Sequence, residues 1–158
     1  MEFQELIRAF SDEIGYDREL KADEDGVVRV PMSEAGSIAF MEIAETRSLL
    51  MWSRIGELPG QNAEQLKDVL LKANFMGQIA DGEVLSLAED NGIYLHRYMP
   101  LDLTDADRFM EALTVFVETI ANWGHFIAES AHFAPEEPPQ ANPPEWMNNL
   151  SPGSFLRV

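Results

Sequence analysis

The chain has 158 residues, which is enough for one domain with a substantial hydrophobic core. Twenty-eight acidic residues against eleven lysines and arginines give a formal net charge of −17. Such a field repels phosphate backbones and anionic membranes, which argues against nucleic-acid binding and membrane insertion. No cysteine is present, so disulfides, thiolate metal sites and thiol nucleophiles are excluded. The chain lacks a secretory signal and an apolar run near the roughly 20 residues that span a bilayer, so we expect a soluble cytoplasmic protein.

The first third of the chain predicts one helix and three short strands. An apolar stripe favours a helix over residues 2–14, with Gly15 placed to end it. Strands are predicted at 27–31, 37–43 and 49–55. The last of these is apolar on both faces, so its second face must be covered by the chain itself or by a partner. The glycines and proline of 56–60 then break the pattern.

The clearest local signal is the pair Asn91-Gly92. Asn-Gly tolerates positive φ at both central positions of a type I′ turn, the turn whose twist suits a two-residue hairpin loop. The flanking segments, 84–88 and 93–99, alternate apolar and polar residues. A β-hairpin with one buried face is therefore predicted.

A helix is predicted on each side of this hairpin. The first spans 62–76 with Asn62 as N-cap, and its apolar stripe is wider than one packing face needs. The second spans 104–127 with Thr104 as N-cap. We expect it to turn six apolar side chains toward the core: Phe109, Leu113, Phe116, Val117, Ile120 and Ile127.

The composition changes at residue 134. Six of the nine prolines follow that position, a density that forbids regular helix or central strand. We therefore divide the chain into a domain at 1–133 and a proline-rich tail at 134–158. The tail still holds large apolar residues, which either dock on the domain or bind something else: Trp146, Met147, Leu150, Phe155 and Leu156.

Motifs for catalysis are missing from the sequence. Neither phosphate-binding glycine pattern nor a GxSxG elbow occurs, and acids are so abundant that no pair of them stands out as acid and base. His125, Glu129 and His132 share one helical face and could gather a metal ion. Satisfied or solvent-facing histidines explain that spacing better. The positive signal is surplus apolar surface, which marks an interaction site or an oligomer interface.

The order of the elements and several diffuse motifs resemble the Tir-chaperone family, the small acidic dimeric class I chaperones of bacterial type III secretion. The motifs are Leu-Leu-x-Ala-Asn at 70–74, Pro-Leu-Asp at 100–102, and apolar positions within 85–101 and 109–123. The resemblance covers about residues 1–130. It implies an α+β fold with a strongly twisted antiparallel sheet, in the order α-β-β-β-α-β-β-α.

The resemblance also implies two binding surfaces. Family members form homodimers mainly through the second helix and adjacent strands, which on this chain gives Leu66, Val69, Leu70, Ala73, Leu85 and Leu87. The N-terminal segment of a secreted effector then wraps the dimer as an extended chain, filling apolar grooves and adding a strand to a sheet edge. The groove candidates are Phe3, Ile7, Phe10, Ile38, Phe40, Met51 and Trp52.

The family resemblance implies a chaperone that needs no ATP, cofactor, metal or catalytic residue. The tail departs from the family pattern. It occupies the chaperone's own groove, binds a secretion ATPase, or has no role, and dedication to one effector or to several is also open. Three rival functions remain: a regulatory or stress protein of the same fold, an enzyme with dispersed carboxylates, and an oligomeric scaffold whose surplus apolar surface is all self-interface.

Overall fold

A computed structural model describes residues 1–15, 20–32, 36–75, 79 and 82–131. The three helices and five strands within these ranges are α1 (Phe3–Glu13), β1 (Val28–Pro31), β2 (Ser37–Ile43), β3 (Ser48–Glu57), α2 (Ala63–Ala73), β4 (Glu83–Leu87), β5 (Gly92–Pro100) and α3 (Ala106–Ser130). The predicted α+β class and element order are confirmed. The predictions for Met76, His132 and the tail at 134–158 lie outside the described residues.

The five strands form one antiparallel sheet in the order β1-β2-β3-β5-β4. The register aligns one residue of every strand in a row across the sheet, and this row lies on the face that packs into the core. Its members are Val28, Phe40, Met51, Arg97 and Glu83.

Three phenylalanines from distant parts of the chain form the centre of the core. The ring centroids of Phe10 on α1 and Phe40 on β2 lie 5.7 Å apart, and that of Phe109 on α3 lies 6.1 and 5.8 Å from them. These tilted and edge-to-face contacts are the arrangement that aromatic rings prefer. They hold α1 and α3 on the same face of the sheet. Leu66 and Leu70 of α2 belong to the same core.

The predicted type I′ turn is wrong in detail, although the hairpin itself is present. Asn91 has φ 62°, but Gly92 is not among the residues with positive φ. The Ala88 carbonyl accepts from Asn91 N at 3.0 Å, while Ala88 N donates to the Gly92 carbonyl at 2.9 Å. This is a three-residue loop over 89–91 that ends in one left-handed residue, so β4 ends at Leu87 instead of residue 88 and β5 begins at Gly92 instead of residue 93.

Two other local predictions also need correction. The N-cap of α3 is Asp105, whose carboxylate accepts from Arg108 N at 2.9 Å. Thr104 cannot serve because its buried hydroxyl donates to the Pro100 carbonyl at 2.7 Å. Strand β3 continues past the predicted break to Glu57, with an irregularity between Arg54 and Gly56 that keeps it paired with β5.

The side chain of Asn74 covers part of the β4 edge. Its Nδ2 donates to the Leu85 carbonyl at 2.8 Å, and its Oδ1 accepts from Leu85 N at 2.9 Å. The amide group thus takes the place of a neighbouring strand at this residue. The Ala-Asn that ends the Leu-Leu-x-Ala-Asn motif therefore joins the end of α2 to the sheet.

Candidate partner-binding surfaces

An open groove of about 970 Å³ separates the second half of α3 from the end of β3. We call it the α3–β3 groove. One wall is formed by the helix, and the other by β3 together with Met32, which directly follows β1, and Gly36, which directly precedes β2. Its lining is Met32, Gly36, Arg54, Ile55, Gly56, Glu57, Val117, Ile120, Ala121, Gly124 and His125.

Two glycines bring the walls of this groove together at its base. A Cβ added to Gly56 would lie 2.7 Å from Ile127 Cγ2, and one added to Gly124 would lie 3.4 Å from the Ile55 carbonyl oxygen. The helix can lie this close to β3 at Gly56 only because that residue has no side chain, whereas a Cβ at Gly124 would make an ordinary van der Waals contact. The result is a floor of small residues beside exposed Val117, which was predicted to face the core but is 38% exposed.

The charged or ionisable side chains among the described lining residues are Arg54, Glu57 and His125. Arg54 pairs with Glu57 at 2.5 Å and lies 3.7 Å from Asp90. His125 pairs with Glu129 at 3.1 Å. All of these side chains are substantially exposed, so water screens the pairs and they contribute little to stability. An apolar floor with a polar rim suits an extended polypeptide better than a small charged ligand.

The opposite face of the sheet is a second apolar surface. Its central residues, from β3, β4 and β5, surround a shallow depression of about 430 Å³: Leu50, Trp52, Ser86, Tyr94, His96 and Tyr98. The rings of His96 and Tyr98 pack edge to face, with their centroids 5.9 Å apart. All three helices place their buried residues in the core on the other face. The predicted doubly apolar third strand is explained by this surface.

His96 on this open face has a shifted pKa. Partial burial lowers its pKa from the ordinary value of 6.5, because the imidazolium loses hydration. Its Nδ1 lies 3.3 Å from Ser86 Oγ on the neighbouring strand. The folded chain therefore favours the neutral ring more than the unfolded chain does.

A buried ion pair that was not predicted joins β4 and β5 on the core face. Arg97 Nη1 lies 3.9 Å from Glu83 Oε1, and the carboxylate side chain is fully buried. The alternation of β4 predicted only its leucines. Glu83 immediately precedes the predicted strand, so the alternation rule did not include it. The register that places it opposite Arg97 is a tertiary feature.

The structure places the predicted effector-binding residues mostly beneath the surface. Six of the seven are buried in the core: Phe3, Ile7, Phe10, Ile38, Phe40 and Met51. Trp52 alone is partly exposed, and it lies on the open sheet face. Alternation and helical period identify apolar residues but cannot tell a residue beneath a groove from one that lines it. The lining glycines and Ala121 carry no apolar signal in the sequence.

The predicted dimer residues divide in the same way. Leu66, Leu70 and Leu85 are buried within the chain, Ala73 is partly buried, and Val69 and Leu87 are exposed. The most exposed apolar side chains of α2 are instead Leu71 at 73% and, just beyond its end, Phe75 at 55%. Because they are four residues apart, they form one stripe on the side away from the core.

The described residues were searched for a metal site and for a membrane-spanning helix. Three or more histidine, aspartate or glutamate side chains come together nowhere in it in a way that could hold a metal ion. The third member of the predicted set, His132, lies outside it. Among the described helices, none is long and apolar enough to cross a membrane.

Residues 5–124 match the family described as the Tir chaperone protein (CesT) family. The chain belongs to the Tir chaperone protein family. The sequence-based resemblance is thereby confirmed, and with it the predicted role as a type III secretion chaperone. A search of curated proteins found no match.

Solved structures share the Tir chaperone fold with this chain. The ExsC–ExsE complex contains a chain 16% identical, with a TM-score of 0.68, over 80% of this chain and 97% of that one. The Yersinia pestis type III secretion chaperone SycH, in complex with a stable fragment of YscM2, is 24% identical with a TM-score of 0.60. The match covers 75% of this chain and 97% of that one. The heterodimeric ExoU–SpcU complex from the type III secretion system of Pseudomonas aeruginosa contains a chain that is 13% identical, with a TM-score of 0.56. The match covers 81% of this chain and 96% of that one.

Proposed function

We propose that this chain binds the N-terminal segment of one or more type III secretion effectors in the bacterial cytoplasm and keeps them soluble and ready for secretion. Membership of the Tir chaperone family is the observation that carries the proposal. Binding alone accounts for this role, so the protein needs no catalysis and no ATP. The same membership disfavours a regulatory or stress protein without a secretion role.

The described surfaces support an extended client segment. The α3–β3 groove is apolar at its floor and lies at the ends of β1 and β2. Strand β1 is an edge strand of the sheet, and its outer side can accept a further strand. A client that adds a strand to β1 and continues into the groove would combine main-chain hydrogen bonds with side-chain pockets.

Capture of a client from the native bacterium tests this role. The tagged full chain is purified from its own host, and co-eluting proteins are identified by mass spectrometry. The proposal expects a secreted effector to co-elute. An effector that lacks its N-terminal segment should no longer do so. If only proteins unrelated to secretion co-elute reproducibly, the chaperone role is rejected.

We also propose that the chain forms a homodimer through α2. The buried state of Leu70 shows that its replacement would disturb the core as well as any interface. The exposed stripe of Leu71 and Phe75 is the surplus apolar surface of this helix, and Val69 and Leu87 are also exposed. A second copy that covers this stripe would remove it from water.

Leu71→Asp tests the dimer without disturbing the core. The variant should elute as a monomer, because a carboxylate at the interface would lose its hydration on association. Light scattering reports the mass, and circular dichroism reports the fold. Leu103→Asp is the matched control, since this leucine is 66% exposed and lies in the connector before α3. A Leu71→Asp protein with the mass of the unaltered chain would reject this interface.

A further inference from the structure

The α3–β3 groove continues the helix that leads into the chain's last segment. Of the eleven described residues that line it, five lie on α3, from Val117 to His125. The helix ends at Ser130, five residues after His125, so the chain leaves α3 within two turns of the groove wall. A segment that turns back at the end of α3 would meet this groove first.

The tail is long enough to reach every part of the groove. Val117 lies thirteen residues before Ser130, which is about 20 Å along a helix. Trp146 lies sixteen residues after Ser130, and an extended chain of that length spans up to about 50 Å. Five prolines lie between them and disfavour a helix, which would shorten that reach.

The end of the tail has the chemistry that the groove requires. Residues 146–158 contain no acid and one arginine, and they form the longest acid-free stretch in the chain. Residues 1–131, by contrast, hold twenty-five of the twenty-eight acids and ten of the eleven basic residues. The stretch is therefore not repelled by the acidic domain, and its large side chains can fill an apolar groove: Trp146, Met147, Leu150, Phe155 and Leu156.

We propose that residues 146–156 of the chain dock in its own α3–β3 groove. Attachment to α3 gives this segment an effective concentration of the order of millimolar, which no free partner reaches at ordinary protein concentrations. Residues 146–156 of the same chain therefore fill the groove before a second copy or a client does. Any partner that uses the groove must displace it. The docking itself does not depend on the proposed chaperone role.

Crosslinking between introduced cysteines tests the docking, because the natural chain has no cysteine. The full chain carries Asn148→Cys in the tail and Val117→Cys in the groove. The control chain carries Asn148→Cys and Asn122→Cys, an exposed position of α3 outside the groove. A short bismaleimide is added to an equal mixture of normal and nitrogen-15 protein. Mass spectrometry then separates crosslinks within one chain from crosslinks between two.

Docking predicts that the groove pair crosslinks within one chain about tenfold faster than the control pair. Val117 lies farther than Asn122 from the start of the tail, so an undocked tail would react with the control at least as fast. Equal rates would overturn the proposal. Crosslinks that join normal and labelled chains would assign the groove to a second copy and overturn it as well.

Variants of the groove and the segment complete the test. Ala121→Glu should remove the preference for the groove pair, because a carboxylate on the groove lining opposes burial of apolar side chains. Ala44→Glu, at an exposed alanine between β2 and β3, should leave it unchanged. Trp146→Ser with Leu150→Ser should lower the groove rate to the control rate. A preference that survives both the groove variant and the tail variant would show that the contact is not this docking.

Discussion

At Gly56 the domain has no space for even one additional carbon atom. Its Cβ would lie 2.7 Å from Ile127 Cγ2, well inside van der Waals contact. The close approach places the helix directly on the strand and sets the depth of the α3–β3 groove. A single methyl group at this position therefore acts on both stability and groove shape.

Gly56→Ala should lower the free energy of unfolding by about 1–3 kcal/mol, because Ile127 must leave its place or α3 must move outward. Urea unfolding followed by circular dichroism measures the change. Gly60→Ala is the control, since a Cβ there meets nothing within 4 Å and Gly60 has no positive φ. Equal stability of the two variants would mean that α3 and β3 do not meet at Gly56.

His96 makes a contribution to the stability of the domain that depends on pH. Partial burial lowers its pKa below 6.5, so the folded chain binds this proton less readily than the unfolded chain does. As the pH falls from 7.5 to about 5.5, the unfolded state therefore gains protons first and stability declines. His96→Gln should reduce that decline in urea unfolding measured at both pH values. A variant that loses as much stability as the natural chain would assign the effect to other groups.

At the scale of elements, the two edges of the sheet are treated differently. Strand β4 has the Asn74 amide on its outer edge at Leu85. Strand β1, at the other side of the sheet, is four residues long and ends in a proline. A short edge strand is a less dangerous template for aggregation, yet it can still accept one partner strand.

Asn74→Ala should expose the β4 edge. Two hydrogen bonds are lost, and we expect a cost of about 1–2 kcal/mol together with faster amide exchange at Leu85. Hydrogen exchange measured by NMR reports that single amide. The amide of Leu95 on β5 is the internal control, because β5 lies between two strands. Unchanged protection at Leu85 would contradict the edge contact.

The elements were predictable wherever a local pattern determines them. The alternation of β2 gave its bounds as observed, and the apolar stripe of α1 matched to within one residue at each end. The N-cap of α3 was predicted wrongly because the Thr104 hydroxyl donates its hydrogen bond to the Pro100 carbonyl. That contact lies within a buried connector. The surfaces were predicted least well. Whether Phe40 lies in a groove or beneath it depends on where α1 and α3 pack, and no local period encodes that.

At the scale of the whole molecule, charge is the dominant property. A net charge of −17 on 158 residues makes the folded chain repel itself, and the favourable ion pairs found are mostly exposed and weak. Arg47 differs from the other cations in joining two distant parts of the chain. It binds both Glu2 and Asp102 and so links the start of α1 to the connector before α3.

Added salt should therefore stabilise the chain. Raising sodium chloride from about 20 mM to about 0.5 M shortens the Debye length from roughly 20 Å to roughly 4 Å, which screens the long-range repulsion more than the close pairs. The midpoint of urea unfolding should move to higher urea. Urea is uncharged, so it does not itself screen the charges. A midpoint that falls with salt would show that the exposed ion pairs outweigh the repulsion.

The three-phenylalanine centre of the core has a consequence for synthesis on the ribosome. Phe10 and Phe40 leave the exit tunnel early, but their shared neighbour Phe109 is translated about seventy residues after the second of them. The nascent N-terminal half consequently has no α3 to cover it, and contacts so distant in sequence form slowly. We expect the domain to reach its native form only after residue 109 has emerged, as a single late event rather than helix by helix.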